Sequence, residues 1–207
     1  AVTIEGATKN NQLAGNDFSR KINCGGTSWQ DYEADLELYK KNGRCAPTGD
    51  FYRNFSVAEF GKGAGEKAAD IFAEQDGNMP RPSRWEDGPG NIYCNEIPWD
   101  DMKKQYDFVD EFEKLGTLIH SAGEKSRYDY WNHTFQAMKR TAEIGCLWGS
   151  FEIHCKADSH ESALADYKGL LRAVEELEYH LLMAVESNGD MGVITDIQQR
   201  AVTPILR

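Results

Sequence analysis

The chain has 207 residues, which is enough for one large domain or two small ones. Its hydrophobic fraction of 40% and charged fraction of 28% are ordinary for a globular protein. The formal net charge of −11 argues against nucleic acid or an anionic membrane as a partner, because phosphate recognition needs a basic surface. No apolar run approaches the ~18 residues of a membrane-spanning helix, so we expect no membrane segment.

The first 26 residues carry no long periodic pattern, and the chain opens AVTIEGATKNN without Met. Residues 1–4 favour a short strand, and the rest of this segment is polar and contains glycine. We therefore predict an N-terminal strap over residues 1–26 and a single helical domain over residues 27–207. The opening also leads us to expect a processed product or a piece of a longer protein.

Shorter helices are predicted before residue 79. One runs from Thr27 or Ser28 to about Lys41, where Asn42-Gly43 ends it. The sequence Ser56-Val57-Ala58-Glu59 has the pattern of a capping box and predicts a new helix start. The alternate glycines of the run FGKGAG at 60–65 predict a break between two short helices, the second over residues 66–75.

Residues 79–99, MPRPSRWEDGPGNIYCNEIPW, contain four prolines, and these forbid a continuous helix. The stretch is also rich in aromatic and charged residues. Long ordered loops of this composition are often functional. We predict an ordered loop inserted in the helical domain.

Three long helices are predicted after this loop, over residues 99–121, 127–148 and 158–186. Short connections between long helices force antiparallel neighbours, and residues 190–207 are predicted to form a loop with one short helical turn. The second long helix is apolar over most of its circumference, so it should lie at the centre. Its apolar rows are Tyr128, Trp131, Phe135, Met138 and Ala142, and Tyr130, Thr134, Ala137, Thr141, Ile144 and Trp148. The predicted fold class is all-α, an antiparallel bundle.

The histidines form no metal signature, since H-E-x-x-H is absent and Glu176 and His180 are four residues apart rather than three. We predict no metal site and no cofactor. The five cysteines include no C-x-x-C pair, and Cys146 inside the central helix is interpreted as a small buried hydrophobe. Cys24 and Cys45 could form a disulfide in a secreted protein. We expect a secreted or extracellular location, with a cytoplasmic one left open.

The candidate binding residues lie in the proline-rich loop. They are Arg84, Trp85, Glu86, Asp87 and Tyr93. Tryptophan faces stack on sugar rings, while carboxylates and arginine bind hydroxyl or acid groups, so this composition suits a carbohydrate. The alternative is that Trp85 and Trp99 only fasten the loop onto the bundle. No catalytic residue can be assigned.

Several segments resemble parts of large polysaccharide-degrading glycoside hydrolases. The order MPRPSRWEDGPGNI, then PW with YDFVDEF, then RYDYWNHTFQAMKRTAEIGC resembles the region C-terminal to the barrel in agarase-like and related TIM-barrel enzymes. The piece VAEFGKGAGEKAADIF resembles a helix of the helical domain in xylan α-glucuronidase-type enzymes. The resemblance spans residues 54–149.

The resemblance implies a helical domain packed beside a catalytic barrel and framing a cleft for a polysaccharide or oligosaccharide. The catalytic carboxylates of such enzymes come from the barrel strands, so they would lie outside this chain, in a partner domain or chain. The alternative function is a non-catalytic helical module for protein–protein interaction. A self-contained small enzyme with a carboxylate site in the loop is a third hypothesis.

Overall fold

The structure is a computed structural model, and it describes residues 2–6, 18–23, 32–34, 48–84 and 91–203. The chain forms two compact units, Ala1–Thr48 and Gly49–Arg207. The boundary that the sequence predicts between residues 26 and 27 lies outside the described residues, and it stays a prediction.

The first unit contains a three-stranded sheet. Strand β1 (Val2–Gly6) pairs antiparallel with β2 (Phe18–Asn23), in the register Val2↔Ile22, and β2 pairs in parallel with β3 (Tyr32–Ala34). The short strand predicted at the N-terminus is therefore confirmed. The helix predicted over 27–41 is wrong at Tyr32–Ala34, because pairing with β2 overrides the local helical pattern there. The remainder of that predicted helix lies outside the described residues.

Helix α1 (Thr48–Gln75) is two half-helices joined at Gly61, whose φ of 75° and ψ of 169° are not helical. The break predicted in the glycine run is thus confirmed. The chain folds back after the kink, so that a Cβ on Gly65 would lie 2.5 Å from the carbonyl oxygen of Ser56. The capping box predicted at Ser56 is wrong, because the helix has already begun at Thr48 and Ser56 is fully buried inside it.

The long helix predicted over 99–121 is wrong. It is replaced by α2 (Trp99–Met102), a 3-10 turn (Lys103–Tyr106), α3 (Asp107–Lys114) and a second 3-10 turn (Leu115–Leu118). The Tyr128 hydroxyl donates a 2.7 Å hydrogen bond to the carbonyl oxygen of Glu113. A continuous α-helix would pair that carbonyl with residue 117, so this side-chain contact favours the tighter turn.

The two longest uninterrupted helices among the described residues are an antiparallel pair, α4 (Ala122–Lys156) and α5 (His160–Met183). Their side-chain pairs run in opposite directions along the two sequences, His133 with His180, Arg140 with Glu176 and His154 with Asp166. Helix α4 begins at a capping box between Ser121 and Glu124. The antiparallel prediction is confirmed for this pair, with α4 extending beyond the predicted residues 127–148 at both ends and α5 lying within the predicted residues 158–186.

Helix α4 lies at the centre of the second unit because it contributes to both hydrophobic clusters. Tyr128, Phe135 and Ala142 pack in the first cluster with α1 and α3, and Ala137 and Ile144 pack in the second with α5. The second unit is all-α apart from a ribbon of two short strands, so the predicted fold class is confirmed there.

The prediction of a loop with one turn over residues 190–207 is wrong up to residue 203, where the segment is helical, and residues 204–207 lie outside the described residues. Helix α6 (Asn188–Ile197) begins at a capping box between Ser187 and Asp190 and continues into a π-helical turn (Gln198–Val202). Ile194 and Val202 are buried, which holds the segment to the bundle. Among the described residues, no helix has a stretch long and apolar enough to span a bilayer.

Candidate functional site

The predicted binding loop contains a two-stranded antiparallel ribbon among its described residues. Strand β4 (Ser83–Arg84) pairs with β5 (Asn91–Ile92), with Ser83 opposite Ile92 and Arg84 opposite Asn91. The ribbon therefore places the backbone of Arg84 near the start of the segment that carries Tyr93. Trp85, Glu86 and Asp87 lie outside the described residues, and their part in a site stays a prediction.

The segment after β5 lies directly against helix α4 at two glycines four residues apart. The Asn95 N–H donates a 2.9 Å hydrogen bond to the carbonyl oxygen of Gly145. A Cβ on Gly145 would lie 2.4 Å from the carbonyl oxygen of Tyr93, and one on Gly149 would lie 2.0 Å from that of Asn95. Only glycine permits this approach, so the two glycines fix the position of Tyr93 and Asn95 on the bundle.

A cavity of about 130 Å³ opens beside this contact. Its polar walls come from the ribbon segment and the 3-10 turn, and the polar residues are Arg81, Tyr93, Asn95, Gln105 and Tyr106. Its apolar walls are Pro82, Met102, Ala142 and Gly145. Of the predicted site residues, Tyr93 is thus the one that the described structure brings to the cavity.

Several polar groups at the cavity have hydrogen-bonding capacity to spare. Arg81 and Gln105 make no hydrogen bond or ion pair with any residue in the part of the chain that the structure describes. Asn95 uses its Oδ1 atom to accept from the Ile97 N–H at 3.0 Å, which leaves its amide NH2 available as a donor. The site therefore offers a guanidinium and side-chain amides against an apolar floor.

Burial governs the protonation of two groups near the floor of the cavity. It raises the pKa of Tyr106 to about 12, so its hydroxyl stays protonated at neutral pH and can donate a hydrogen bond. Burial also raises the pKa of the Cys146 thiol to about 11, and the side chain is 2% exposed. The buried position predicted for Cys146 is confirmed.

A second polar cluster joins α4 to α5. Asp166 Oδ2 accepts from the Ser150 hydroxyl at 2.9 Å and lies 2.6 Å from Nδ1 of His154. Both partners contact the same carboxylate, whereas a nucleophile–base pair requires serine to bond to histidine. This cluster therefore cross-links the helices.

His133 and His180 form another contact between α4 and α5, with their Nδ1 atoms 2.9 Å apart. In this hydrogen bond one Nδ1 atom donates and the other accepts, so only one of the two Nδ1 atoms carries a proton. Burial lowers the pKa of both rings, that of His180 to about 4. Within the described ranges, no group of three or more His, Cys, Asp or Glu side chains is placed to hold a metal ion.

The sequence interpretation missed three of the residues at the cavity, Arg81, Asn95 and Gln105. Arg81 and Asn95 lie inside the predicted loop of residues 79–99, but outside the stretch from Arg84 to Tyr93 that holds the predicted site residues. Gln105 stands on a separate turn and reaches the cavity only through tertiary packing. The sequence did contain one signal for this contact, the two glycines of GCLWG at positions 145 and 149 in the central helix. Glycines four residues apart lie on one face of a helix, and the lack of side chains there lets another backbone segment approach closely.

Comparisons of this chain with models of protein families, with curated proteins and with solved structures find no match.

Proposed function

We propose that this chain is the helical, non-barrel part of a carbohydrate-active protein and binds one edge of a polysaccharide or oligosaccharide at the cavity beside Tyr93. The observation that carries the proposal is the cavity itself, where the side chains of Arg81 and Gln105 border an apolar floor and form no hydrogen bond or ion pair with a described residue. Hydrolysis is assigned to carboxylates outside this chain, in the glycoside hydrolase that the sequence resembles.

The chemistry of the cavity walls fits a hydroxylated ring. The Arg81 guanidinium, the Gln105 amide and the Tyr106 hydroxyl supply donors, and the Gln105 carbonyl supplies an acceptor for sugar hydroxyls. Met102 and Ala142 offer apolar surface to the C–H face of a ring. This combination of apolar walls with a few convergent polar groups is typical of small-molecule sites.

The size of the cavity limits what enters it. At about 130 Å³ it is smaller than the ~300–1,000 Å³ of sites that enclose a whole drug-sized ligand. We therefore expect one hydroxyl-bearing edge of a sugar residue to enter, while the rest of the chain stays outside. Such a site binds weakly and frames a substrate rather than enclosing it.

A glycan array of agarose- and xylan-derived oligosaccharides tests the proposal. Arg81→Gln and Gln105→Ala remove two of the unused polar groups, and we expect each to weaken binding about fivefold to tenfold. Lys104→Ala is the matched control, because Lys104 is exposed next to Gln105 but pairs with Asp101 away from the cavity. Absence of any bound glycan, or equal weakening by the control, would contradict the proposal.

The alternative function, a protein–protein interaction module, is favoured by a different surface. Large apolar side chains are exposed near the C-terminal end of α5 and along α6, with Leu182 56% exposed. Large exposed apolar clusters mark interaction sites.

A further inference from the structure

Helix α5 has two opposite apolar faces, and the described part of the chain buries only one of them. Leu170, Val174 and Leu177 are buried in the second hydrophobic cluster. Tyr179 and Leu182 lie on the other side of the helix and are 54% and 56% exposed. A surface helix normally needs only one apolar stripe. On the second stripe the Tyr179 ring contacts the His133 ring of α4 edge to face, with centroids 5.8 Å apart, and the packing of the described residues leaves Leu182 largely exposed.

The exposed side chains form a ridge. Tyr179, Leu182 and Met183 are spaced by three and four residues, so they share one face of α5. Helix α6 begins after a short connection, packs against α5, and exposes Met191 and Val193. We name Tyr179, Leu182 and Met183 the apolar ridge. Methionine adapts its shape readily and is common on surfaces that accept partner helices.

The surroundings of the ridge are acidic. Between residues 173 and 199 the sequence contains no Lys or Arg, and its six acidic residues are Glu175, Glu176, Glu178, Glu186, Asp190 and Asp196. Glu176 forms a 2.7 Å ion pair with Arg140, and the cap of α6 uses Asp190. Glu175 and Glu186 are exposed and form no ion pair with a described residue. The nearest cation on α5 is Arg172, one position before this window, so acidic side chains outnumber basic ones beside the apolar side chains.

We propose that the apolar ridge is a docking surface for a basic amphipathic helix of a partner protein. This goes beyond the carbohydrate site and rests on different residues. A helix presents apolar anchors at the same spacing of three and four residues, and its cations would face Glu175 and Glu186. A second copy of this chain would bring the same acidic residues, and like charges oppose that pairing.

Fluorescence polarisation with a labelled amphipathic leucine–lysine peptide tests the assignment. We expect the wild type to bind it and a scrambled peptide of the same composition to bind at least about tenfold more weakly. The double variant Tyr179→Gln/Leu182→Gln should weaken binding about tenfold or more, since central apolar anchors dominate such interfaces. Higher salt should weaken it further, because part of the attraction is electrostatic.

Leu164→Gln is the matched control. Leu164 is 52% exposed on the same helix, but 18 residues from Leu182, about 27 Å along the axis. We expect it to bind the peptide as the wild type does. Equal weakening by the control, equal binding of the scrambled peptide, or no binding at all would overturn the proposal.

Sedimentation velocity gives one more outcome that would overturn it. If the wild type is a dimer and the double variant is a monomer, the occupant of the apolar ridge is a second copy of this chain. Glycan binding by the double variant should be unchanged, which separates this proposal from that for the cavity.

Discussion

The backbone N–H of Asn95 donates a 2.9 Å hydrogen bond to the carbonyl oxygen of Gly145 in the middle of helix α4. This bond joins an irregular segment to the most central helix of the bundle. It is available because neither Gly145 nor Gly149 carries a side chain that would hold the segment away. The cavity depends on this contact, since Asn95 and Gly145 both line it.

We predict that Gly149→Ala destabilises the protein. A Cβ there would lie 2.0 Å from the carbonyl oxygen of Asn95, so the segment must move. Overpacking of this kind costs about 1–3 kcal/mol, which exceeds the ~1 kcal/mol that alanine gains over glycine in a helix. Urea unfolding measures the difference. Gly123→Ala is the control, with only the flexible end of Arg127 at 3.4 Å, and it should be neutral or stabilising.

Gly61 and Gly63 should respond to alanine in opposite directions. Gly61 has a φ of 75°, and an added Cβ would also lie 2.5 Å from Oε1 of Glu124, so Gly61→Ala should cost about 1–3 kcal/mol. Gly63 is helical, and an added Cβ there would have no atom within 4 Å. Gly63→Ala should therefore raise the free energy of unfolding by up to about 1 kcal/mol. Thermal unfolding of both variants checks this. Equal effects would contradict the kink at Gly61.

The His133–His180 contact should make stability depend on pH. The pKa of His180 in the folded protein is lowered from 6.5 to about 4, mainly by burial and then by His133 and Arg140. An unfolded chain therefore binds protons first, and the stability that the neutral pair contributes is complete above pH 6.5 and lost as the pH falls toward 4.

His180→Gln isolates this effect, because glutamine cannot take up a proton. We expect the melting temperature of the wild type to fall more steeply than that of the variant as the pH drops from 6.5 to 4. Asp129 raises and Lys125 lowers the pKa of His133, while Glu176 raises the pKa of His180. Salt screens these charges, so the two proteins must be compared at constant ionic strength. Parallel pH profiles for the two proteins would show that the pair is not coupled to folding.

The cysteines should differ in their reactivity. Cys146 is 2% exposed with a pKa of about 11, so it should resist alkylation until the protein unfolds. Cys155 is exposed and should be modified readily. Cys94 is also exposed, but partial burial and Glu152 raise the pKa of its thiol, so it should react more slowly than Cys155. Peptide mass spectrometry after timed iodoacetamide treatment gives the order, and early labelling of Cys146 would contradict its buried position.

Much of the helical architecture was predictable because α4 and α5 carry long apolar periodicity. Local signals were less reliable. The S-x-x-E pattern occurs at Ser56 and at Ser121, and only the second is a helix start. The four-residue pattern is the same at both positions and does not distinguish them. Ser56 is buried because the chain folds back at Gly61 and brings Gly65 against it. The 3-10 turn that follows α3 is similarly favoured by the hydrogen bond from Tyr128 to Glu113, two residues 15 positions apart in the sequence.

The candidate site was predictable only in part, for the same reason. The loop composition indicated Tyr93, but Gln105 and Arg81 join it at the cavity through the packing of the ribbon segment on α4. A sequence pattern reports periodicity and turn chemistry along the chain. It does not report which side chains far apart in sequence meet at one cavity.

Backbone amide NMR of the ¹⁵N-labelled protein, recorded during titration with agarose- and xylan-derived oligosaccharides, would reveal directly whether a sugar binds at the cavity. We predict concentration-dependent shifts at Tyr93, Asn95, Gln105 and Tyr106 with at least one oligosaccharide, and in Gln105→Ala we predict that the remaining shifts need about fivefold to tenfold more sugar. Unchanged spectra at millimolar sugar, or shifts centred on the apolar ridge instead, would contradict carbohydrate binding at the cavity.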